Sequence, residues 1–146
     1  MNTTFLLDVN VLIAMSWPAH VAHEKVQQWF ARHGRTGWAT CPFTQTAFVR
    51  ILSNPAFSPN ALRTADAFQL LESNLRHPGH KFWPDDISLL EAARSFVPQI
   101  TGHQQVADAY LLGLAMHRKG RLATLDNRMR ALLPGKGMEP DLVTVI

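Results

Sequence analysis

The alternation of apolar and polar positions predicts a chain in which short strands are connected by helices. The segment TFLL (residues 4–7) is β-favouring and wholly apolar, which is typical of a central parallel strand covered on both faces. Further strands are expected at TGWATCP (36–42), around Lys81–Trp83, at RLATL (121–125) and at DLVTVI (141–146).

Apolar residues at helical spacing occupy the segments between these strands. Helices are predicted over Val9–Met15, over His20–Ala31 before Gly34, and from Phe43 onward. Further helices are expected from the N-cap signal Ser58-Pro59 to about Leu75, from Ser88 to Phe96, over residues 103–120, and briefly after Asp126. This alternation predicts an α/β fold, with a mostly parallel sheet of about five strands, helices on both faces, and one domain over residues 1–146.

Composition and charge narrow the class of protein. The 146 residues are 47% hydrophobic and 17% charged, which is an ordinary globular composition. No stretch approaches the ~20 apolar residues of a membrane span, and no segment has the pattern of a signal peptide. The single cysteine, Cys41, excludes an internal disulfide and follows no zinc-site spacing with the histidines. We therefore expect a cytoplasmic protein, whose net charge of +3 is compatible with a nucleic-acid partner.

Three aspartates occur in unusual surroundings. Asp8 directly follows the strand TFLL, Asp126 follows RLATL, and Asp108 lies inside the apolar segment of residues 103–120. Ligands of open α/β sheets bind in the crevice at the carboxyl ends of the strands, where these carboxylates would meet. Asp8 and Asp126 are also suitable N-caps of the helices that follow them, and that interpretation stays open.

Carboxylates brought together repel one another unless a cation or hydrogen bonds neutralise them, so their convergence indicates a hard divalent metal. Oxygen ligands favour Mg²⁺ or Mn²⁺, and such an ion supports phosphoryl chemistry. With Asn10 and Thr124 as polar neighbours, the pattern indicates a metal-dependent phosphodiesterase.

Four segments in order, FLLDVNVLIA, TCPFTQTAFVRILS, VADAYLLGLA and RLATLDNRM, resemble the PIN-domain family, particularly VapC-type toxins of toxin–antitoxin pairs. The resemblance implies a hydrolase: a Mg²⁺- or Mn²⁺-dependent endoribonuclease that cuts tRNA, rRNA or mRNA. By this resemblance Asp8 and Asp108 are metal ligands, Asp126 holds the attacking water or a second ion, and Asn10 and Thr124 support them. The implied partners are a small VapB-like antitoxin and a second copy of the chain in a homodimer.

Position 45 departs from the family pattern. Relatives have a glutamate in the helix after the second strand, and this chain has Gln45, which keeps an acceptor but loses the charge. Either Gln45 still orients the attacking water, or the chain is a catalytically weakened PIN domain that binds RNA or an antitoxin. A phosphoacceptor receiver domain is a third idea, for which Lys136 is a poor match to the required lysine.

Basic side chains are expected where RNA approaches the carboxylates. Arg50, Arg128 and Arg130 are the candidates by their positions after motif segments, although each is equally suited to a solvated surface.

Overall fold

Five parallel strands form the centre of the computed structural model, which describes residues 3–135, 138 and 140–146. The strands are β1 (Phe5–Leu7), β2 (Trp38–Thr40), β3 (His80–Phe82), β4 (Arg121–Thr124) and β5 (Val143–Val145), in the spatial order β3-β2-β1-β4-β5. Every neighbouring pair is parallel. The predicted α/β fold is therefore confirmed, and the carboxyl ends of all five strands meet at one edge of the sheet.

Helices cover both faces of this sheet. They are α1 (Val9–Ser16), α2 (His23–His33), α3 (Pro42–Leu52), α4 (Thr64–Leu75), α5 (Leu89–Ala93) and α6 (Val106–His117). Helices α1 to α4 pack with Phe5 and Leu7 on one face, whereas α5 and α6 pack with Leu6 on the other. This alternation along β1 is the period of two that a strand imposes, and it explains why the whole segment is apolar.

Several helix boundaries differ from the predictions. The helix expected from Ser58-Pro59 begins only at Thr64, because the Ser58 side chain accepts a hydrogen bond from the Asn60 amide (3.0 Å) and forms a local turn. The Leu62 amide then donates to the Leu52 carbonyl (2.9 Å) and fixes this turn against α3. Helix α2 likewise begins at His23 rather than at residue 20, since His20 Nδ1 accepts from the Ala22 amide.

The apolar segment 103–120 is only partly α-helical. Residues His103–Gln105 form a 3₁₀ turn in which the Gln105 side chain accepts hydrogen bonds from the amides of Thr101 (2.6 Å) and Gly102 (3.3 Å). Helix α6 therefore starts at Val106, and Asp108 lies in its first turn rather than in its interior. A carboxylate in this position is stabilised by the helix dipole.

Ser88 caps α5 as predicted, with its hydroxyl accepting from the Glu91 amide (3.2 Å), but the helix ends at Ala93 instead of Phe96. Helices α5 and α6 approach closely at Gly113, where an added Cβ would overlap the backbone carbonyl of Ala92. Short 3₁₀ turns complete the described elements at Gly34–Thr36, Val97–Gln99, Asn127–Leu132 and Pro140–Leu142.

No helix in the described part of the chain is long and apolar enough to cross a membrane. Lys136, the residue weighed for a receiver domain, lies outside the described residues.

Candidate active site

Asp8 is held at the carboxyl end of the central strand by two hydrogen bonds. Its Oδ1 accepts from the Val9 amide (2.8 Å), which makes Asp8 the N-cap of α1, and its Oδ2 accepts from the Thr124 hydroxyl (2.8 Å). The residue is only 8% exposed. Burial raises the pKa of the Asp8 carboxyl above its ordinary value, and the hydrogen bonds from Thr124 and Val9 oppose that rise. The Asp8 side chain thus caps α1 and also lies in the crevice at the carboxyl ends of the strands.

Thr124 connects the ends of β1 and β4. Its side chain is fully buried, and its hydroxyl accepts from the Asp126 amide (3.1 Å) while it donates to Asp8. Asn10 completes the link, because its Nδ2 donates to Thr124 Oγ1 (3.4 Å) and its Oδ1 accepts from the Leu125 amide (3.2 Å). One hydrogen-bonded network at the ends of β1 and β4 therefore joins Asp8, Asn10, Thr124 and Asp126.

Asp108 reaches the same edge of the sheet from α6. It is half-buried, and no side-chain hydrogen bond or ion pair reaches its carboxylate from the described residues. Burial raises the pKa of Asp108 to about 6, and the neighbouring Asp8 and Asp126 carboxylates add to that rise. The Arg128 charge partly opposes this rise. The three predicted aspartates are thus close enough to influence one another electrostatically, and among the described residues no side chain hydrogen-bonds to Asp108.

Asp126 is bound to Arg128. The carboxylate caps the following 3₁₀ turn by accepting from the Arg128 amide (2.9 Å), and the guanidinium returns to it through Nε–Oδ1 (3.0 Å) and Nη2–Oδ2 (3.1 Å). The Arg128 side chain holds the pKa of Asp126 below its ordinary value. Both predictions for Asp126, a capping role and a place beside Asp108, match its position in the fold.

A cavity of about 330 Å³ lies beside Asp108 and Asp126. Its other lining residues are the loop Thr101–Gln105, Arg128 and Leu132. The sequence does not mark this loop as a wall of the site, because the Gln105 side chain that folds it belongs to no recognisable motif. The lining thus combines polar loop residues, two carboxylates and one arginine with the apolar Leu132.

The Gln45 side chain lies at the carboxyl end of β2, the strand next to β1, where its Nε2 donates to the Thr40 hydroxyl (2.9 Å). Gln45 and Arg50 also line a groove with Phe68 of α4. Arg130 is exposed on the 3₁₀ turn after Asp126, outside the lining of the acidic cavity. Of the three predicted basic residues, only Arg128 lies at the carboxylates.

The donor set fits a hard divalent cation, with Asp8 and Asp108 as its carboxylates. Neither is paired with a basic side chain of the described residues, and both are partly removed from water. Among the described residues, no three His, Cys, Asp or Glu side chains are arranged to hold one ion together. Mg²⁺ commonly uses only one or two protein carboxylates and keeps several waters, so two are sufficient.

Proteins named ribonuclease VapC are similar to this chain over most of its length. Ribonuclease VapC38 of Mycobacterium tuberculosis is 41% identical over 142 residues, which are 97% of this chain and 99% of that protein. Ribonuclease VapC39 of the same species is 42% identical over 123 residues, covering 84% of this chain and 88% of the relative.

Two solved structures share the fold. VapBC2 from Rickettsia felis, bound to a DNA fragment from their promoter, matches with a TM-score of 0.65 at 9% identity, over 98% of each chain. PAE2754 from Pyrobaculum aerophilum matches with a TM-score of 0.60 at 24% identity, over 92% of this chain and 83% of that one. At these identities the two structures support the fold alone. The family model for the PIN domain matches residues 5–132, and the chain therefore belongs to the PIN-domain family, in its VapC-type group.

Proposed function

We propose that this chain is a VapC-type toxin, a divalent-cation-dependent endoribonuclease that hydrolyses phosphodiester bonds in RNA. The observation that carries the proposal is the convergence of Asp8 and Asp108, two partly buried carboxylates without a basic partner among the described residues. The relatives named Ribonuclease VapC supply the reaction class, since they match this chain at about 40% identity over most of its length.

In this proposal Asp8 and Asp108 hold Mg²⁺ or Mn²⁺. The bound ion supplies an activated water and neutralises the charge that develops on the phosphate. Thr124 favours the ionised form of the Asp8 carboxyl and holds it in one orientation by donating to Oδ2, and Asn10 fixes the position of Thr124.

Asp126 is the remaining carboxylate and is proposed to orient the attacking water from the β4 side. The backbone amide of Asp126 donates to Thr124, which keeps the residue at the same strand ends as Asp8. Arg128 is the basic side chain beside it, and a phosphate is a ligand for which a guanidinium is well suited. RNA is thus expected to enter over the cavity that Asp108, Asp126 and Arg128 line.

We further propose a small VapB-like antitoxin as the neutralising partner, a homodimer as the working assembly, and action in the cytoplasm. VapBC2 from Rickettsia felis has the same fold as this chain, which is why an antitoxin of that kind is the first partner to try. The RNA class, tRNA, rRNA or mRNA, is left to experiment, since no short sequence motif encodes it.

The test compares RNA cleavage by the wild type, Asp8→Asn and Asp66→Asn in Mg²⁺ and in Mn²⁺. Asp66 is a matched control because it is an exposed aspartate on α4 that pairs with Arg63. We expect cleavage by wild type and Asp66→Asn, and a loss of at least about a hundredfold in Asp8→Asn, as removal of a metal ligand typically causes. Equal cleavage by wild type and Asp8→Asn would contradict the proposal.

A second candidate function follows from Gln45, namely a catalytically weakened PIN domain that acts mainly by binding RNA or an antitoxin. Its support is that Gln45 has no negative charge and that its side-chain Nε2 is held by the Thr40 hydroxyl. Thr40 in turn contacts His80 Nε2 (2.7 Å). Gln45→Glu separates the two candidates. If wild type is inactive and Gln45→Glu cleaves RNA in Mg²⁺, the weakened module is correct; if wild type is active, the enzyme is correct.

A further inference from the structure

Arg128 and Asp126 form an ion pair at the edge of the proposed metal site. Three hydrogen bonds from one residue, the Arg128 amide, Nε and Nη2, reach the two oxygens of the Asp126 carboxylate. Oδ1 accepts two of them, which fills its two lone pairs, and Oδ2 accepts the third. A divalent ion therefore finds one free lone pair on Asp126, next to a fixed positive charge that repels it.

The ion pair between Asp126 and Arg128 explains why the three carboxylates do not surround one common point. Asp8 and Asp108 are without a basic partner, whereas Asp126 is turned toward Arg128, and no three acidic side chains of the described residues surround one point. Arg128 is also the one Lys or Arg side chain among the described residues that line the acidic cavity. It thus replaces part of the positive charge that a bound cation would bring.

The pair is built to separate easily. The Arg128 side chain is 87% exposed, and Asp126 is 27% exposed, so that water screens their attraction. A guanidinium binds a phosphate in the same two-pronged geometry as a carboxylate, so an incoming RNA phosphate is a direct substitute for Asp126. The capping bond from the Arg128 amide does not depend on the side chain and stays in place when the guanidinium leaves.

We propose that Arg128 is an exchangeable counter-ion: it occupies Asp126 in the free chain and transfers to an RNA phosphate, which releases Asp126 toward the divalent ion. The inference rests on the proposed function. It makes metal and RNA binding cooperative through one side chain, because the phosphate removes the cation that competes for Asp126.

The test uses the full chain, stripped of metal, in the variants Arg128→Gln, Arg128→Lys and Arg35→Gln. Arg35 is a charge-matched control, because it is an exposed arginine in the 3₁₀ turn before β2, at the opposite end of the strands. Calorimetric titration with Mn²⁺ measures the metal affinity. Fluorescence anisotropy of labelled unfractionated tRNA in saturating Mn²⁺ measures the RNA affinity. The titration is done on ice, and gels check that the RNA stays intact.

The two measurements should change in opposite directions in Arg128→Gln. We expect Mn²⁺ to bind about three- to tenfold more tightly, because the variant lacks the guanidinium that competes for Asp126. The gain is limited because an exposed ion pair of this kind is weak. The tRNA affinity should fall about three- to tenfold, because one charged phosphate contact is lost. Arg128→Lys should lose RNA affinity less than Arg128→Gln, and Arg35→Gln should leave Mn²⁺ binding unchanged.

Unchanged Mn²⁺ affinity in Arg128→Gln, or unchanged tRNA affinity, overturns the inference. Asp8→Asn separates this failure from failure of the proposed function. If Asp8→Asn abolishes Mn²⁺ binding while Arg128→Gln has no effect, the metal site is correct and Arg128 is not its counter-ion. If Mn²⁺ binding survives Asp8→Asn, the proposed metal site itself is wrong.

Discussion

Replacing Thr124 by valine removes one hydroxyl from the centre of the site and changes almost nothing in shape. Thr124 is fully buried, and its hydroxyl makes three contacts: it donates to Asp8 Oδ2 and accepts from the Asp126 amide and from Asn10. A hydrogen bond to a charged group contributes about 1.5–3 kcal/mol, and an amide left without its acceptor costs about 1 kcal/mol more. We therefore expect Thr124→Val to lower the free energy of unfolding by about 2–4 kcal/mol.

Thr124→Ser is the matched control, because it keeps the hydroxyl and removes only a methyl group, at a cost of about 1 kcal/mol. The difference between the two variants isolates the hydroxyl. Urea denaturation of each variant in EDTA gives the free energies of unfolding, and the slope with urea checks that the unfolded states are comparable.

The difference should depend on pH with a defined sign. Burial already raises the pKa of Asp8 in the folded chain above 3.8, and the loss of the Thr124 donor raises it further. The valine penalty is therefore complete where Asp8 is ionised, above that raised pKa, and it shrinks as the pH falls through it. Equal stabilities of the valine and serine variants at neutral pH would refute the assignment of Thr124 as the support of an ionised Asp8.

Two further predictions concern charge and packing on α6. Since burial and neighbouring carboxylates raise the pKa of Asp108 to about 6, its ionisation opposes folding, so Asp108→Asn in EDTA at neutral pH should be more stable than wild type by about 1–2 kcal/mol. Denaturation should show this gain shrinking as the pH falls from about 6 to 3.8 and absent below 3.8, where Asp108 is protonated in both the folded and the unfolded chain. Mn²⁺ should stabilise wild type but not the variant. A variant less stable than wild type at neutral pH would contradict the prediction. Gly113→Ala should cost about 3 kcal/mol because its Cβ would overlap the Ala92 carbonyl, whereas Gly102→Ala, with open space around its Cβ, should differ from wild type by less than about 0.5 kcal/mol in the same assay.

The order of strands and helices was predictable because β1, β2 and β4 are short buried segments that end close to Asp8, Pro42 and Asp126. The edge strand β3 (His80–Phe82) is mostly exposed and carries a weaker signal. The strand Phe5–Leu7 is buried on both faces between helices, so period-two alternation of polarity is absent and all three residues are apolar. The three helix starts that failed share one cause. Ser58, His20 and Gln105 use their side chains to bond nearby backbone amides, and those local turns replace the first turn of each expected helix.

The candidate site was predictable only in part. The aspartates could be located because parallel strands bring their carboxyl ends to one edge, so Asp8 and Asp126 had to be neighbours once β1 and β4 paired. The pairing of Asp126 with Arg128, and the hydrogen bond of Gln45 to Thr40, depend on side-chain rotamers that no spacing rule specifies. The functions of these residues stay predictions.

The three carboxylates of the site are stabilised in three different ways, and this difference is the basis for the roles proposed for them. Asp8 is buried and depends on Thr124 and the Val9 amide, so its orientation is fixed before any ligand arrives. Asp126 is balanced by Arg128 and can exchange that partner. Asp108 has no hydrogen bond or ion pair from the described side chains; the nearby Arg128 charge only partly offsets burial and the other carboxylates, which raise its pKa to about 6. In the proposed function, a metal ion would compensate for the charge that the fold leaves least balanced, at Asp108.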